Sequence, residues 1–264
     1  MTPEEQLKAG DPAGALAALQ VLVKARPGDA KLRIFLFQLL CILGQWDRAI
    51  RQLKVCGELD PGALQMCQAY REAIICEVYR EKVFAGDKAA LVFGEPQEWL
   101  AWLMEAQKML AKGEVAAAAD LRARAFEAAP GSAGDMDGTR FEWIADADMR
   151  IGPVLEAIVN GRYFWLPFAQ IRQITFDPPT DLRDAVWTAA NIKLANEGSV
   201  VALLPSRYPF SGQKGDAAEK LSRATNWTDA GSETFVGLGQ KLLSTDQGDV
   251  ALLDARLIKF DASE

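Results

Sequence analysis

The chain has 264 residues, half of them hydrophobic and a quarter charged, which is the balance of a globular protein long enough to bury two cores. Its net charge is −7, with 16 Lys+Arg against 17 Asp+Glu in the first 130 residues and 13 against 19 in the rest. Neither half has the basic excess that phosphate binding needs, so no nucleic acid partner is expected. It contains no histidine, which removes Ser-His-Asp and Cys-His catalysis and imidazole metal sites.

Helical signals fill the first half. A short helix precedes Gly10, and Asp11-Pro12 opens a second, with Asp11 able to cap free amides and Pro12 suited to the first turn. Arg26-Pro27-Gly28 stops it, and Asp29 caps a third helix that is apolar on most sides, as a helix lying between two others must be. Gly44 ends that helix and Trp46 starts its partner, which runs to Asp60-Pro61. Residues 63–86 read as one long helix closing on charged pairs at Arg80, Glu81 and Lys82. Gly94-Glu95-Pro96 introduces a helix through Trp99 and Leu110, and an Ala-rich helix follows Gly113.

One spacing recurs through this half. A Gly is followed five residues on by Ala and seventeen residues on by Pro at Gly10/Ala15/Pro27, Gly44/Ala49/Pro61 and Gly113/Ala118/Pro130. The first two sit 34 residues apart, the period of a tetratricopeptide-type repeat, and residues 29–61 form one complete unit. The Gly allows the turn between paired helices and the Ala allows their close approach. Such units stack into a surface that holds a peptide or a helix. The repeat pattern turns Lys31, Ile34 and Gln38 toward the concave side, although it places a small residue where Phe37 stands.

Composition shifts at Pro130, and β signals follow. Residues 154–159 and 162–167, joined by Asn160-Gly161, read as a hairpin, because Asn-Gly suits a turn with two positive φ angles. Residues 171–176 form a further strand. Residues 191–195 and 200–204 read as a second hairpin, residues 216–225 as a short helix, and residues 235–243 with 250–260 as a third hairpin. The expected fold is α+β multidomain: a tetratricopeptide-like α-α superhelix over 1–130, then a β-dominated domain over 131–264, a curled sheet or a small barrel.

The four cysteines (Cys41, Cys56, Cys67 and Cys76) lie among apolar helix neighbours with no Cys-x-x-Cys pair, which reads as buried free thiols. The N-terminus lacks a basic-then-apolar leader, and the longest uncharged run, 34–46, is too short to span a bilayer, so a cytoplasmic location without a membrane is expected. Asp146 and Asp148, with Arg150 in phase, are the one acidic pair that points to chemistry: two carboxylates able to hold Mg²⁺ or Mn²⁺ in a carboxylate-dependent metal enzyme. The competing reading is a rim motif in which Arg150 neutralises Asp148. Arg183 and Asp184 read as an ion pair, and Arg207-Tyr208, after a strand, as a ligand contact or a loop anchor.

The pieces combine. Arg33-x-x-Leu36-Phe37-Gln38-Leu39-Leu40-Cys41 runs into Gly44-Gln45-Trp46-Asp47-Arg48-Ala49. Phe141-x-Trp143-Ile144-x-Asp146-x-Asp148-x-Arg150-x-Gly152-Pro153-x-Leu155-Glu156 continues through Asn160-Gly161-x-Tyr163-x-Trp165-x-Pro167-Phe168. Asp181-Leu182-Arg183-Asp184-x-x-Trp187 and Pro205-x-Arg207-Tyr208-Pro209 follow. Together this resembles the ImpE/TagJ family of type VI secretion accessory proteins, over nearly the whole chain. The resemblance implies a cytoplasmic, non-enzymatic protein of two parts, with no cofactor or metal. It implies a partner in the small subunit of the contractile sheath, bound through a helix near that subunit's N-terminus. It also implies a role in tuning sheath disassembly by the AAA+ unfoldase, an indirect partner.

Overall fold

The computed structural model describes residues 1–261. Seven helices build the first half: α1 (Pro3–Lys8), α2 (Pro12–Ala25), α3 (Ala30–Ile42), α4 (Trp46–Leu59), α5 (Leu64–Phe84), α6 (Glu98–Ala111) and α7 (Val115–Ala128). The recurrent spacing has one physical meaning at all three places. Gly10, Gly44 and Gly113 each take a positive φ after a helix. Each donates to the carbonyl three residues back, at Leu7, Cys41 and Leu110, and the next residue donates to the carbonyl five back, at Gln6, Leu40 and Met109. That pair of bonds closes the helix C-terminus and turns the chain. Ala15, Ala49 and Ala118 are then fully buried where the returning helix crosses its partner.

Fourteen strands are described. β1 (Leu91–Val92) lies between α5 and α6, and β2 (Gly134–Met136), β3 (Thr139–Phe141) and β4 (Ile144–Asp146) open the second half. They are followed by β5 (Val154–Val159), β6 (Arg162–Pro167), β7 (Ile171–Phe176), β8 (Trp187–Leu194) and β9 (Ser199–Pro205). Two short helices, α8 (Ser211–Lys214) and α9 (Ala217–Lys220), precede β10 (Thr225–Asp229), β11 (Phe235–Gly239), β12 (Leu242–Thr245), β13 (Gly248–Ala251) and β14 (Leu257–Phe260). The large sheet has the order β1-β6-β5-β9-β8-β7-β14-β2-β3, with β4, β12 and β13 in a smaller sheet and β10–β11 as a separate ribbon. β1 and β3 are its edges, so the large sheet stays open and does not close into a barrel. The architecture is a tetratricopeptide-like helical stack followed by a sheet-rich region.

The β5–β6 hairpin forms as expected, with Asn160 and Gly161 at φ of 48° and 69°. The third expected hairpin forms only at its inner end, where Leu242 and Leu243 pair with Ala251 and Val250. Gly239, at φ +94°, turns the chain out of β11, and a turn from Ala251 to Asp254 separates β13 from β14. β11 therefore pairs with β10, β12 with β13 and β4, and β14 with β7 and β2. The helix expected over 216–225 shortens to Ala217–Lys220, because Ser222, at φ +55°, turns the chain out of the helix and Thr225 begins β10.

β5 explains how the layers meet. Every residue of this strand is buried, and its side chains alternate between two cores. Val154 and Ile158 join the core shared with the helices, whereas Leu155, Ala157 and Val159 join a second core within the sheet region. Glu156, between Val154 and Ile158, is thereby aimed at the helices.

Candidate functional site

α5 carries the seam between the two halves. It is the longest helix, 21 residues, and Tyr70, Glu77, Arg80 and Phe84 recur on it at helical spacing toward the sheet. In sequence Arg80 is one of the charged residues, with Glu81 and Lys82, that close this helix; in the structure it is 2% exposed and inside the protein. Its guanidinium grips Glu156 with two parallel bonds, Nε to Oε1 at 2.6 Å and Nη2 to Oε2 at 2.8 Å. Arg80 also meets Glu77 at 3.3 Å and donates to the Arg207 carbonyl at 2.9 Å. On the sheet side Lys241 reaches Glu156 at 2.7 Å and pairs with Asp146. The Tyr163 hydroxyl donates to Glu156 and accepts from Trp165 at 2.8 Å, and Trp187 donates to Glu77 at 3.1 Å.

Burial alone raises the Glu156 carboxyl, but Arg80 and Lys241 overcome that and hold it below the usual carboxylate range. Glu77 is lifted above that range by burial, against the pull of Arg80. Burial also pushes Asp146 up to about 6, with Lys241 opposing and Asp148 adding to the rise. Arg80 and Lys241 lose hydration, yet their carboxylate partners keep both above their ordinary values.

The acidic motif is built into this seam. Asp148 Oδ1 accepts from the Arg150 amide at 2.9 Å and Nε at 2.8 Å, and Oδ2 accepts from Arg150 Nη2 at 2.5 Å and the Gly237 amide at 2.9 Å. Asp146 accepts from the Asp148 amide at 2.9 Å as well as from Lys241. Both carboxylates are thus spent on cations and amides of the chain, and among the described residues no three acidic or cysteine side chains converge for a metal ion. The Arg150 guanidinium sits 4.9 Å from the Phe84 ring centre on α5. Gly152, at φ +51°, leaves the space that the Phe126 ring of α7 enters, since a Cβ there would lie 2.4 Å from it. The neighbouring Pro153 carbonyl accepts from the Phe168 amide at 3.1 Å.

The remaining sequence-derived residues fall in three places. Arg183 pairs with Asp181 rather than with Asp184, and lies 4.8 Å from the Tyr70 ring centre. Asp184 instead accepts from the amides of Thr180 at 2.6 Å and Asp181 at 2.8 Å, closing the 182–185 turn. Arg207 is 4% exposed and donates to the last carbonyls of α3, Ile42 at 2.7 Å and Cys41 at 3.1 Å, a cation on a helix C-terminus. Tyr208 is buried beside Trp227, with 5.4 Å between ring centres. Arg207 thereby ties the two halves together, whereas the Tyr208 hydroxyl accepts from the Leu242 amide at 3.0 Å within the sheet region. On α3, Lys31 is exposed while Ile34 and Gln38 are half-buried, and the helix lies against the 182–185 turn. Phe37 fills the position where a small residue is usual, because it supports an aromatic row, Phe37–Tyr70–Trp187–Trp46, with ring centres 5.7 to 6.1 Å apart.

Sequence reading missed Glu77, Arg80, Tyr163, Trp187 and Lys241 as members of one site. The available signal was ionisable residues inside apolar runs: Glu77 in 73–78 and Lys241 in 235–243. The cysteines behave as expected: all four are free and buried, and burial raises the Cys41 thiol well above its ordinary range.

These features define a tetratricopeptide-type repeat protein whose stack is locked to a sheet through buried ion pairs. Residues 6–69 match a tetratricopeptide repeat family, and residues 138–259 match the family described as ImpE protein. The type VI secretion system accessory component TagJ of Pseudomonas aeruginosa is 49% identical over 264 residues, all of this chain and 92% of that protein. The crystal structure of protein VPA1032 from Vibrio parahaemolyticus superposes with a TM-score of 0.91 at 25% identity, covering 99% of this chain and 98% of that one. This chain belongs to the ImpE/TagJ family.

Proposed function

We propose that this protein is a non-enzymatic, cytoplasmic accessory component of a type VI secretion system. It binds an amphipathic helix near the N-terminus of the small contractile-sheath subunit and thereby tunes sheath disassembly by the AAA+ unfoldase. The observation that carries the reading is the end-to-end likeness, at 49% identity, to the accessory component TagJ. The helical repeat supports a partner that is a protein segment, since stacked helices offer grooves of helix width. The carboxylates that suggested metal chemistry, Asp146 and Asp148, support an adaptor better, being saturated by Lys241, Arg150 and backbone amides.

Calorimetric titration with the N-terminal helical peptide of the small sheath subunit from the same organism tests this. Saturable binding at micromolar concentration or tighter is expected. Failure to bind either the peptide or the assembled sheath would remove the assigned partner. A parallel titration with Mg²⁺, Mn²⁺ and Ca²⁺ is expected to give no saturable heat.

A further inference from the structure

The repeat is incomplete at one position. Units begin with α1–α2 and α3–α4, whose turns sit at Gly10 and Gly44, 34 residues apart. The next turn falls due at residue 78, which is Val78 in the middle of α5. α5 runs on to Phe84 and the chain then crosses to the sheet as β1, so the third unit has a first helix and no second one. In a stack of helical hairpins, that second helix would lie against α5 and against α4, the second helix of the unit before it.

An open groove of about 740 Å³ occupies this place, lined by α4 and α5 alone. Its apolar wall is formed by Ile50, Leu53, Leu64 and Cys67, and Leu64 is 55% exposed, an apolar side chain left in solvent at the start of a helix. Gly57 on α4 keeps the wall low, with Leu64 only 3.1 Å from where its Cβ would stand. The lining segments, 50–58 and 64–71, each extend about 12 Å, enough to seat about two turns of a helix. The rim carries Lys54, Glu58 and Arg71; Lys54 lies 4.0 Å from Glu58, so Arg71 supplies the excess positive charge of this edge on a chain whose net charge is −7.

We infer that this vacant helix position is the docking site for a partner's amphipathic helix, one with a leucine-sized apolar stripe and acidic residues flanking it. The incoming helix completes the third repeat unit. The apolar stripe covers Leu64 and Ile50, and the flanking acids meet Arg71. The inference deepens the adaptor reading and rests on it for the identity of the partner, but it places that helix on the outer α4–α5 groove. The inner face of α3 is left to the chain's own 182–185 turn.

The test uses the full chain, the sheath-subunit peptide, and a model amphipathic peptide in two versions, with glutamates or with lysines beside its leucine stripe. Leu64→Arg and Arg71→Glu change exposed groove positions, and Lys31→Glu is the inner-face control; circular dichroism checks that each folds. Binding of the sheath peptide and of the glutamate peptide should weaken roughly tenfold or more in Leu64→Arg and be unchanged in Lys31→Glu. Arg71→Glu should reverse the preference between the two model peptides. Sheath-peptide binding that ignores Leu64→Arg yet falls in Lys31→Glu would overturn the groove and leave the adaptor standing. Leu64-dependent binding of the glutamate peptide, without any sheath-peptide binding, would keep the groove and overturn the partner. No binding of the glutamate peptide, or a wild-type dimer that Leu64→Arg converts to monomer and that no peptide displaces, would overturn the groove itself.

Discussion

Gly113 isolates what a backbone conformation is worth. Its φ is +83° and nothing lies within 4 Å of where a Cβ would stand. Gly113→Ala therefore adds no clash, only the strain of a left-handed alanine, and is expected to lower unfolding free energy by about 1–2 kcal/mol in urea titration. Asp146 gives a second single-residue expectation. Its carboxyl, ordinarily near 3.8, is lifted to about 6 in the folded chain, with burial the leading cause. A raised folded value means that the native state holds the extra proton between those limits. Asp146 thus favours the fold at low pH, and its contribution is lost as pH rises through about 6. Glu156 works in the opposite sense: depressed in the fold, it stabilises above its ordinary 4.5 and loses that as pH falls through its lowered value. Unfolding measured from pH 5 to 7.5 should accordingly show wild type gaining on Asp146→Asn as pH falls. Parallel curves would mean that Asp146 does not titrate in this window.

Between elements, the decisive contact is α5 against β5. Arg80 and Glu156 are separated by 76 residues and joined by two bonds with almost no solvent. Removing one partner strands the other as a buried charge, so Arg80→Ala should cost about 3–5 kcal/mol. Arg80→Lys should fall between it and wild type, because an ammonium keeps the charge but cannot make the paired contact. Thermal and denaturant unfolding of the three proteins decides this; an Arg80→Ala protein as stable as wild type would mean that the pair is energetically idle. The same reasoning explains the mixed legibility of the strands. The β5–β6 hairpin is local, carried by Asn160-Gly161 and an apolar run on either side, so it could be read from the chain. The segments 235–243 and 250–260 were not legible as four strands, because β11 turns back onto β10 while β12 and β14 take partners (β4, β7 and β2) far away in sequence.

At the scale of the molecule, the two halves share one core. Leu40, Ile74 and Leu103 of the helices belong to the same buried cluster as Val154, Tyr163, Trp165 and Trp187 of the sheet, and β1 from the helical half forms an edge of the sheet. Division at Pro130 into 1–130 and 131–264 therefore exposes apolar surface on both pieces and strands Arg80 apart from Glu156. Each piece alone is expected to lack the cooperative thermal transition of the full chain. A fragment that melts cooperatively on its own would make it an independent domain.

The sequence by itself determined the repeat. Its Gly, Ala and Pro act within a single helical hairpin, through a positive φ, a close helix crossing and a helix boundary, all set by neighbours a few residues apart. It likewise determined the family, because the motif pieces are matters of order and spacing. Only the tertiary structure decided where Arg80, Glu156, Lys241 and Asp146 would meet, since burying charges is tolerable only when partners from distant segments arrive together. It also decided that Arg207 would close α3 from within, and that a helix position beside α4 and α5 would stay open, for both depend on where the sheet packs against the stack.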